Sequence, residues 1–236
     1  MVSVKELRSA IAEVNAKGRA VLQAVFGIAL DPTATTNDIM DSLKKIPPLQ
    51  YAKTIEGLYY KAVLPENTEL VLNGSELYNL SDTFRECKNL IKVKVLGNVF
   101  LAPAILDNTF NLCSNLTEVD FTEFALTVNS MASPFNMCKS LVRVLGEFDL
   151  TDCVTATIGF TQLTSLEEIR FKSETIKSNI TMAQSSALSS ASVDSIIEGL
   201  MPLTEPKNLK FNTAVVSRLT PQQRETVYSK GWTLVE

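Results

Sequence analysis

Apolar residues recur at every third position in four stretches between residues 84 and 169 of the chain. Each stretch begins with a phenylalanine, and the four phenylalanines lie 26, 25 and 25 residues apart. The sixteen positions that share this pattern are Phe84, Cys87, Leu90, Val93, Phe110, Cys113, Leu116, Val119, Phe135, Cys138, Leu141, Val144, Phe160, Leu163, Leu166 and Ile169. A fixed period of about 20–29 residues is typical of stacked repeats, because each copy has to bury its apolar residues against its neighbours.

Within one copy the spacing of the apolar residues changes from three to two. The spacing of three from Phe84 to Leu90 predicts a short helical or 3₁₀ turn that packs one edge inward. Val93 and Val95 then lie two apart with a lysine between them, which predicts a strand. We therefore predict an α/β fold, a leucine-rich-repeat solenoid over residues 51–180, with a parallel sheet on one face and short helical turns on the other.

The polar residues between the buried strand positions alternate in charge from copy to copy. The first outward row reads Lys92, Glu118, Arg143, Glu168. The second row reads Lys94, Asp120, Leu145, Arg170, and the strand pattern weakens at Gly146. Opposite charges on neighbouring strands stabilise a sheet by about 0.2–1 kcal/mol per pair, so the first row supports this register.

This strand face has two interpretations, a solvated self-complementary face or a ligand-binding face. We favour the first, because a face that neutralises itself attracts a polyanion poorly. Recognition is then expected in the longer loops after the strands, residues 97–108 and 122–133, where the copies differ most from one another.

Two flanking regions do not share the period. Residues 1–50 carry apolar residues at helical spacing and predict a small helical module that docks or oligomerises. Thr68 to Leu72 alternates polar and apolar residues and predicts a capping strand before the first clear copy. Residues 181–236 predict a C-terminal α/β cap, in which Trp232 plugs the open end of the core. Its elements are a helix capped by Ser192 and running through Leu200, a strand with Leu209 and Phe211, a helix from Pro221 to Gly231 capped by Thr220, and a last strand with Trp232 and Leu234.

The cysteines follow the repeat and not a disulfide framework. Cys87, Cys113 and Cys138 occupy one position of successive copies, and Leu163 takes that position in the fourth. A position that accepts either residue is a small hydrophobic slot, so we expect buried, reduced thiols. The chain has no histidine and no Cys-x-x-Cys pair, so we expect no metal site.

The absence of histidine also excludes Ser-His and Cys-His dyads and an imidazole base. Ser-Lys or paired-carboxylate chemistry remains possible in principle, but neither has a recognisable local motif here. The sequence contains neither of the glycine-rich phosphate-binding motifs. We therefore predict that the protein is not an enzyme and has no cofactor.

The composition limits the kinds of partner that the protein can bind. The 236 residues carry a net charge of −4, without a basic cluster, which argues against nucleic-acid binding. The longest apolar run, Ala20 to Leu30, is interrupted by Gln23 and is too short to span a membrane. Acidic residues precede it and no small-x-small cleavage pattern follows it. We expect a core helix there, no membrane insertion and no Sec-type export signal.

The Phe-x-x-Cys-x-x-Leu-x-x-Val/Ile copies resemble the BspA-type leucine-rich repeats of bacterial surface proteins and of phages of gut-associated bacteria. The resemblance covers about residues 68–180. The segment Ser-Val-Asp-Ser-Ile-Ile-Glu-Gly-Leu, Leu-Thr-Pro-Gln-Gln-Arg and the final Lys-Gly-Trp-Thr-Leu are similar to the C-terminal ends of phage and prophage proteins with such repeats. Residues 1–50 resemble, more weakly, short modules of phage tail and fibre proteins.

This resemblance implies a phage structural protein located in the virion, on the tail, baseplate or capsid. The module at residues 1–50 would bind other virion proteins, within a homo-oligomer or a larger assembly. The repeats would face a host surface protein or glycan. The alternative is an adhesion module of the bacterial cell surface built from the same repeats.

Overall fold

The computed structural model describes residues 57–236 except positions 58, 63, 65, 74–77, 97–102 and 125. The helical module predicted for residues 1–50, and its docking role, lie outside the described residues. Over the described residues the chain is an α/β protein with parallel sheets and few helices. The α/β class predicted from the alternation of turns and strands is therefore confirmed.

The largest sheet has five parallel strands in the order β1-β2-β4-β6-β8. Its strands are β1 (Thr68–Asn73), β2 (Leu90–Leu96), β4 (Glu118–Glu123), β6 (Arg143–Phe148) and β8 (Glu168–Phe171). Three of these strands, β2, β4 and β8, follow the predicted pattern of buried residues two apart, whereas the buried Val144 and Phe148 of β6 lie four apart; β1 is the predicted capping strand. Val93 pairs with Val119 and Val119 with Val144, so neighbouring strands are in register at equivalent positions of the sequence motif.

A four-stranded parallel sheet of order β11-β10-β9-β7 and a pair of strands, β3 and β5, complete the β structure of the described residues. Their strands are β3 (Ala104–Ile105), β5 (Val128–Ser130), β7 (Thr157–Gly159), β9 (Asn179–Met182), β10 (Lys207–Phe211) and β11 (Trp232–Val235). The strands predicted around Leu209 and Trp232 are thus confirmed.

The segments predicted as longer loops, 97–108 and 122–133, are in part regular. Strand β3 lies in the first segment and pairs in parallel with β5 in the second. Leu106 and Val128 are buried in the core, because alternating apolar residues anchor these segments. The prediction that these two segments are loops is therefore wrong where β3 and β5 lie.

Three helices lie in the C-terminal part of the described chain: α1 (Ser190–Gly199), α2 (Thr213–Ser217) and α3 (Pro221–Ser229). Helix α3 has the predicted Thr220 cap, and Gly231 follows its end with φ +81°. Helix α1 begins earlier than predicted. Its N-cap is Ser189, whose hydroxyl accepts from the backbone N–H of Ser192, so the prediction that Ser192 caps this helix is wrong.

Ser192 instead helps to cover the outer edge of β8. The N–H groups of Ile169 and Phe171 donate to the hydroxyl oxygens of Ser192 and Ser195, at 3.1 and 2.9 Å. The same hydroxyls donate to the carbonyls of Glu167 and Phe171, at 2.9 and 3.2 Å. Helix α1 therefore satisfies backbone groups that a further strand would otherwise pair with.

The spacing of three in each copy comes from consecutive turns and not from a helix. The N–H of Cys87 donates to the carbonyl of Phe84 at 3.0 Å, and Glu86 between them has φ +64°. A positive φ at the third residue is that of a type II turn and is incompatible with a right-handed helix. Equivalent residues of the other three copies also have positive φ: Leu112, Met137 and Gln162. The predicted helical turns are therefore wrong. Apolar residues at the first and fourth positions of a β-turn are three residues apart, and this is the same spacing that a helical turn would give.

The anchor rings stack beneath these turns. Tyr59, Phe84, Phe110 and Phe135 lie with successive ring centroids 5.2, 5.2 and 5.5 Å apart, and Phe160 follows at 6.4 Å. All sixteen positions of the sequence pattern are at most 1% exposed. Tyr59 extends the row by one position that the pattern missed, because tyrosine replaces phenylalanine there and Ala62 replaces the cysteine.

Candidate functional site

The cysteine thiols form a buried row with a consistent hydrogen-bonding role. The Sγ atoms of Cys87, Cys113 and Cys138 donate to the main-chain carbonyls of Tyr59, Phe84 and Phe110, each at 2.9 Å. Each thiol therefore bonds the anchor residue of the preceding copy. The slot predicted as small and hydrophobic also supplies a donor, which Leu163 lacks.

The thiols of this row stay protonated at neutral pH. Burial raises the pKa of Cys87 to about 11 and that of Cys138 to about 12. Burial, followed by the two neighbouring thiols, raises the pKa of Cys113 as well. The thiolate is the nucleophilic form of cysteine, so these residues are suited to packing and not to covalent chemistry. The four cysteines, including buried Cys153, are free thiols.

The first row of alternating charge crosses the outward face of the five-stranded sheet as adjacent residues. Lys92 pairs with Glu118, Glu118 with Arg143, and Arg143 with Glu168. Strand β1 adds Glu69 opposite Lys92, so the alternation extends over five strands. The sequence pattern missed Glu69 because β1 belongs to no clear copy of the motif.

Ion pairs connect several of these charges. Arg143 bonds Glu118, and the Nζ of Lys92 lies 3.9 Å from a carboxylate oxygen of Glu69. In the second row Lys94 contacts Asp120 at 3.5 Å. Burial alone would raise the pKa of Asp120, but hydrogen bonds from Thr122 and the charge of Lys94 hold it below its usual value. The face is therefore neutralised largely by its own residues.

The second predicted row ends at β6. Asp120 pairs with Leu145 as expected, but Arg170 pairs with Glu147 and not with Leu145. The register shifts between Arg143 and Glu147, where Gly146 adopts φ +108°. The predicted row is wrong at this point because β6 contains a bulge, which a count of residues from the anchor phenylalanine cannot locate.

Reversing one charge tests whether the first row holds the register. The substitution Glu118→Lys places three positive charges on adjacent strands, and we expect it to lower the free energy of unfolding by about 0.5–2 kcal/mol. The loss should shrink at high salt, because exposed charges are screened. Thermal melts of the full chain at low and high ionic strength measure both effects.

The control for this experiment is Glu118→Gln, which removes the attraction without adding a repulsion. It should cost less than Glu118→Lys, and its cost should depend less on salt. Equal melting temperatures for wild type and Glu118→Lys at low salt would show that the row does not stabilise the sheet. A loss of ligand binding in Glu118→Lys without a change in stability would favour the ligand-binding interpretation of this face.

The outward face of the four-stranded sheet has a different character. Buried Ile158, Ile180 and Leu209 alternate with outward polar residues. Across the face one row reads Thr157, Asn179, Asn208, Thr233, and the parallel row reads Gly159, Thr181, Lys210, Val235. Hydroxyl and amide groups therefore predominate here, whereas charges predominate on the other sheet.

A shallow depression of about 220 Å³ lies on this face. It is lined by Thr157, Asn179, Ile180, Thr181, Asn208, Lys210 and Val235. None of these residues belongs to the repeated sequence pattern or to the charged rows predicted from it. The alternation in Thr-Ile-Gly, Asn-Ile-Thr and Asn-Leu-Lys is the signal that would have placed them on one sheet face.

Trp232, predicted to plug the end of the core, is a buried residue of the C-terminal region. The ring is 2% exposed, and Nε1 donates to the carbonyl of Met201 at 2.8 Å. Lys230 just before it donates to the carbonyls of Glu198 and Leu200 near the end of α1, at 3.0 and 2.8 Å. A cation at the C-terminal end of a helix is favourable, so these contacts fasten α1 to the chain that follows α3.

None of the helices within the described ranges is both long and apolar enough to cross a bilayer. The same residues contain no group of three or more His, Cys, Asp or Glu side chains arranged to hold a metal ion. Searches of protein-family models, curated proteins and solved structures found no match to the chain.

Proposed function

We propose that this chain is a non-enzymatic recognition protein of a phage virion, in which a BspA-type leucine-rich-repeat solenoid displays a binding surface to the host. The virion part would be the tail, the baseplate or the capsid. An adhesion module of the bacterial cell surface is the alternative. The two differ in location and share a mode of action, which is binding without chemistry.

The observation that carries this proposal is the register of the five-stranded sheet. Equivalent motif positions pair from strand to strand, as Val93, Val119 and Val144 do. The anchor rings stack in the same order, and the N–H of Phe84 donates to the carbonyl of Thr109 in the next copy at 2.8 Å. Stacking of similar units leaves outward faces that can vary without disturbing the core, as expected of a binding scaffold.

The chemistry of the potential nucleophiles supports binding over catalysis. The thiols of Cys87 and Cys113 donate to carbonyls, and burial raises their pKa. Several carboxylates of the strand face are engaged by Lys or Arg, as Asp120 is by Lys94 at 3.5 Å. A nucleophile or a general base has to be a free, activated group within reach of a substrate. These thiols and carboxylates are instead engaged in hydrogen bonds and ion pairs within the fold.

Location is proposed from the repeat resemblance. In this proposal residues 1–50 attach the chain to other virion proteins and the repeats face the host surface. A variant without residues 1–50 should then bind host cells but fail to enter particles.

Binding to intact cells tests the proposed function. Labelled, purified protein should bind cells of the host saturably and should reduce adsorption of the phage that encodes it. An antibody against residues 57–236 should label purified particles. Absence of the chain from particles, together with its presence on the envelope of uninfected cells, would favour the adhesion alternative. Absence of binding to any host cell would contradict both.

A further inference from the structure

We draw no further inference here: the strongest candidate, the cleft of about 470 Å³ that is lined by Asp194 and Glu198 of helix α1, by Arg218 and by Gln223 of helix α3, has exposed polar walls that suit several kinds of ligand, and nothing in the structure shows which of them covers it.

Discussion

Cys113→Asp should unfold the chain or lower its free energy of unfolding by about 3–5 kcal/mol. Cys113 is 0% exposed, and its Sγ lies 2.9 Å from the carbonyl oxygen of Phe84. A carboxylate there would lose its hydration. It would also replace the thiol donor by a group that only accepts, so the Phe84 carbonyl would lose its hydrogen bond from residue 113. Because the folded state favours the neutral acid, the penalty should grow as the pH rises above about 4.

Thermal melts at pH 4 and pH 7 measure this effect. Cys113→Ala removes the donor without adding a charge and should cost much less than the aspartate. Val154→Asp places the same carboxylate on a side chain that is 72% exposed, and should change the melting temperature little. A melting temperature of Cys113→Asp equal to that of the wild type would show that the thiol row is not part of a tightly packed core. A large loss of stability on reduction of the wild type would show a disulfide.

Gly231→Ala should lower the free energy of unfolding by about 2–4 kcal/mol. An alanine at φ +81° costs about 1 kcal/mol in backbone strain. Its Cβ would also lie 2.4 Å from the carbonyl oxygen of Leu203, so one of the two segments has to move. Overpacking of this kind adds about 1–3 kcal/mol. Chemical denaturation of the two proteins measures the difference.

Gly57→Ala separates the two causes. Gly57 also has a positive φ, +64°, but a Cβ there would meet no atom within 4 Å. It should therefore carry the backbone cost alone, about 1 kcal/mol. If Gly231→Ala costs no more than Gly57→Ala, the contact between Gly231 and Leu203 does not constrain the junction of α3 and β11.

The buried strands were predictable because one face of each strand lies in the core. Val93 and Val95 alternate with lysines, and a strand is the structure in which residues two apart share a face. The phenylalanine period then gave the register of Lys92, Glu118, Arg143 and Glu168. The alternation within a strand is local in the sequence, and the register follows from the repeat of the motif, so both could be read from the sequence.

Other features depend on backbone angles that side-chain spacing does not determine. Glu86 and Leu112 adopt positive φ although neither is a glycine, so nothing in the sequence distinguished a turn from a helical turn. The bulge at Gly146 was visible only as a weakened pattern. Tyr59 was missed because its stacking on Phe84, at 5.2 Å between ring centroids, depends on shape and not on the identity of the motif residue.

The depression lined by Thr157, Asn179 and Asn208 was missed for a different reason. Its residues come from different strands, three of which, β9, β10 and β11, lie beyond the clear copies of the motif. The alternation within each strand can place a threonine or an asparagine on the outward face, but it does not tell which side chains of different strands lie side by side. A site formed by residues of several strands can therefore be located only when the strand pairing is known, whereas core positions can be located from the sequence period alone.

The serines of helix α1 have a consequence for how the protein behaves at high local concentration. An exposed strand edge is a template on which another chain can add a strand, and this is a common start of fibril growth. At β8 the hydroxyls of Ser192 and Ser195 occupy the backbone groups that an incoming strand would need. Two hydroxyl groups thus block that end of the sheet to addition of another strand, so that many copies can be crowded together without joining through it.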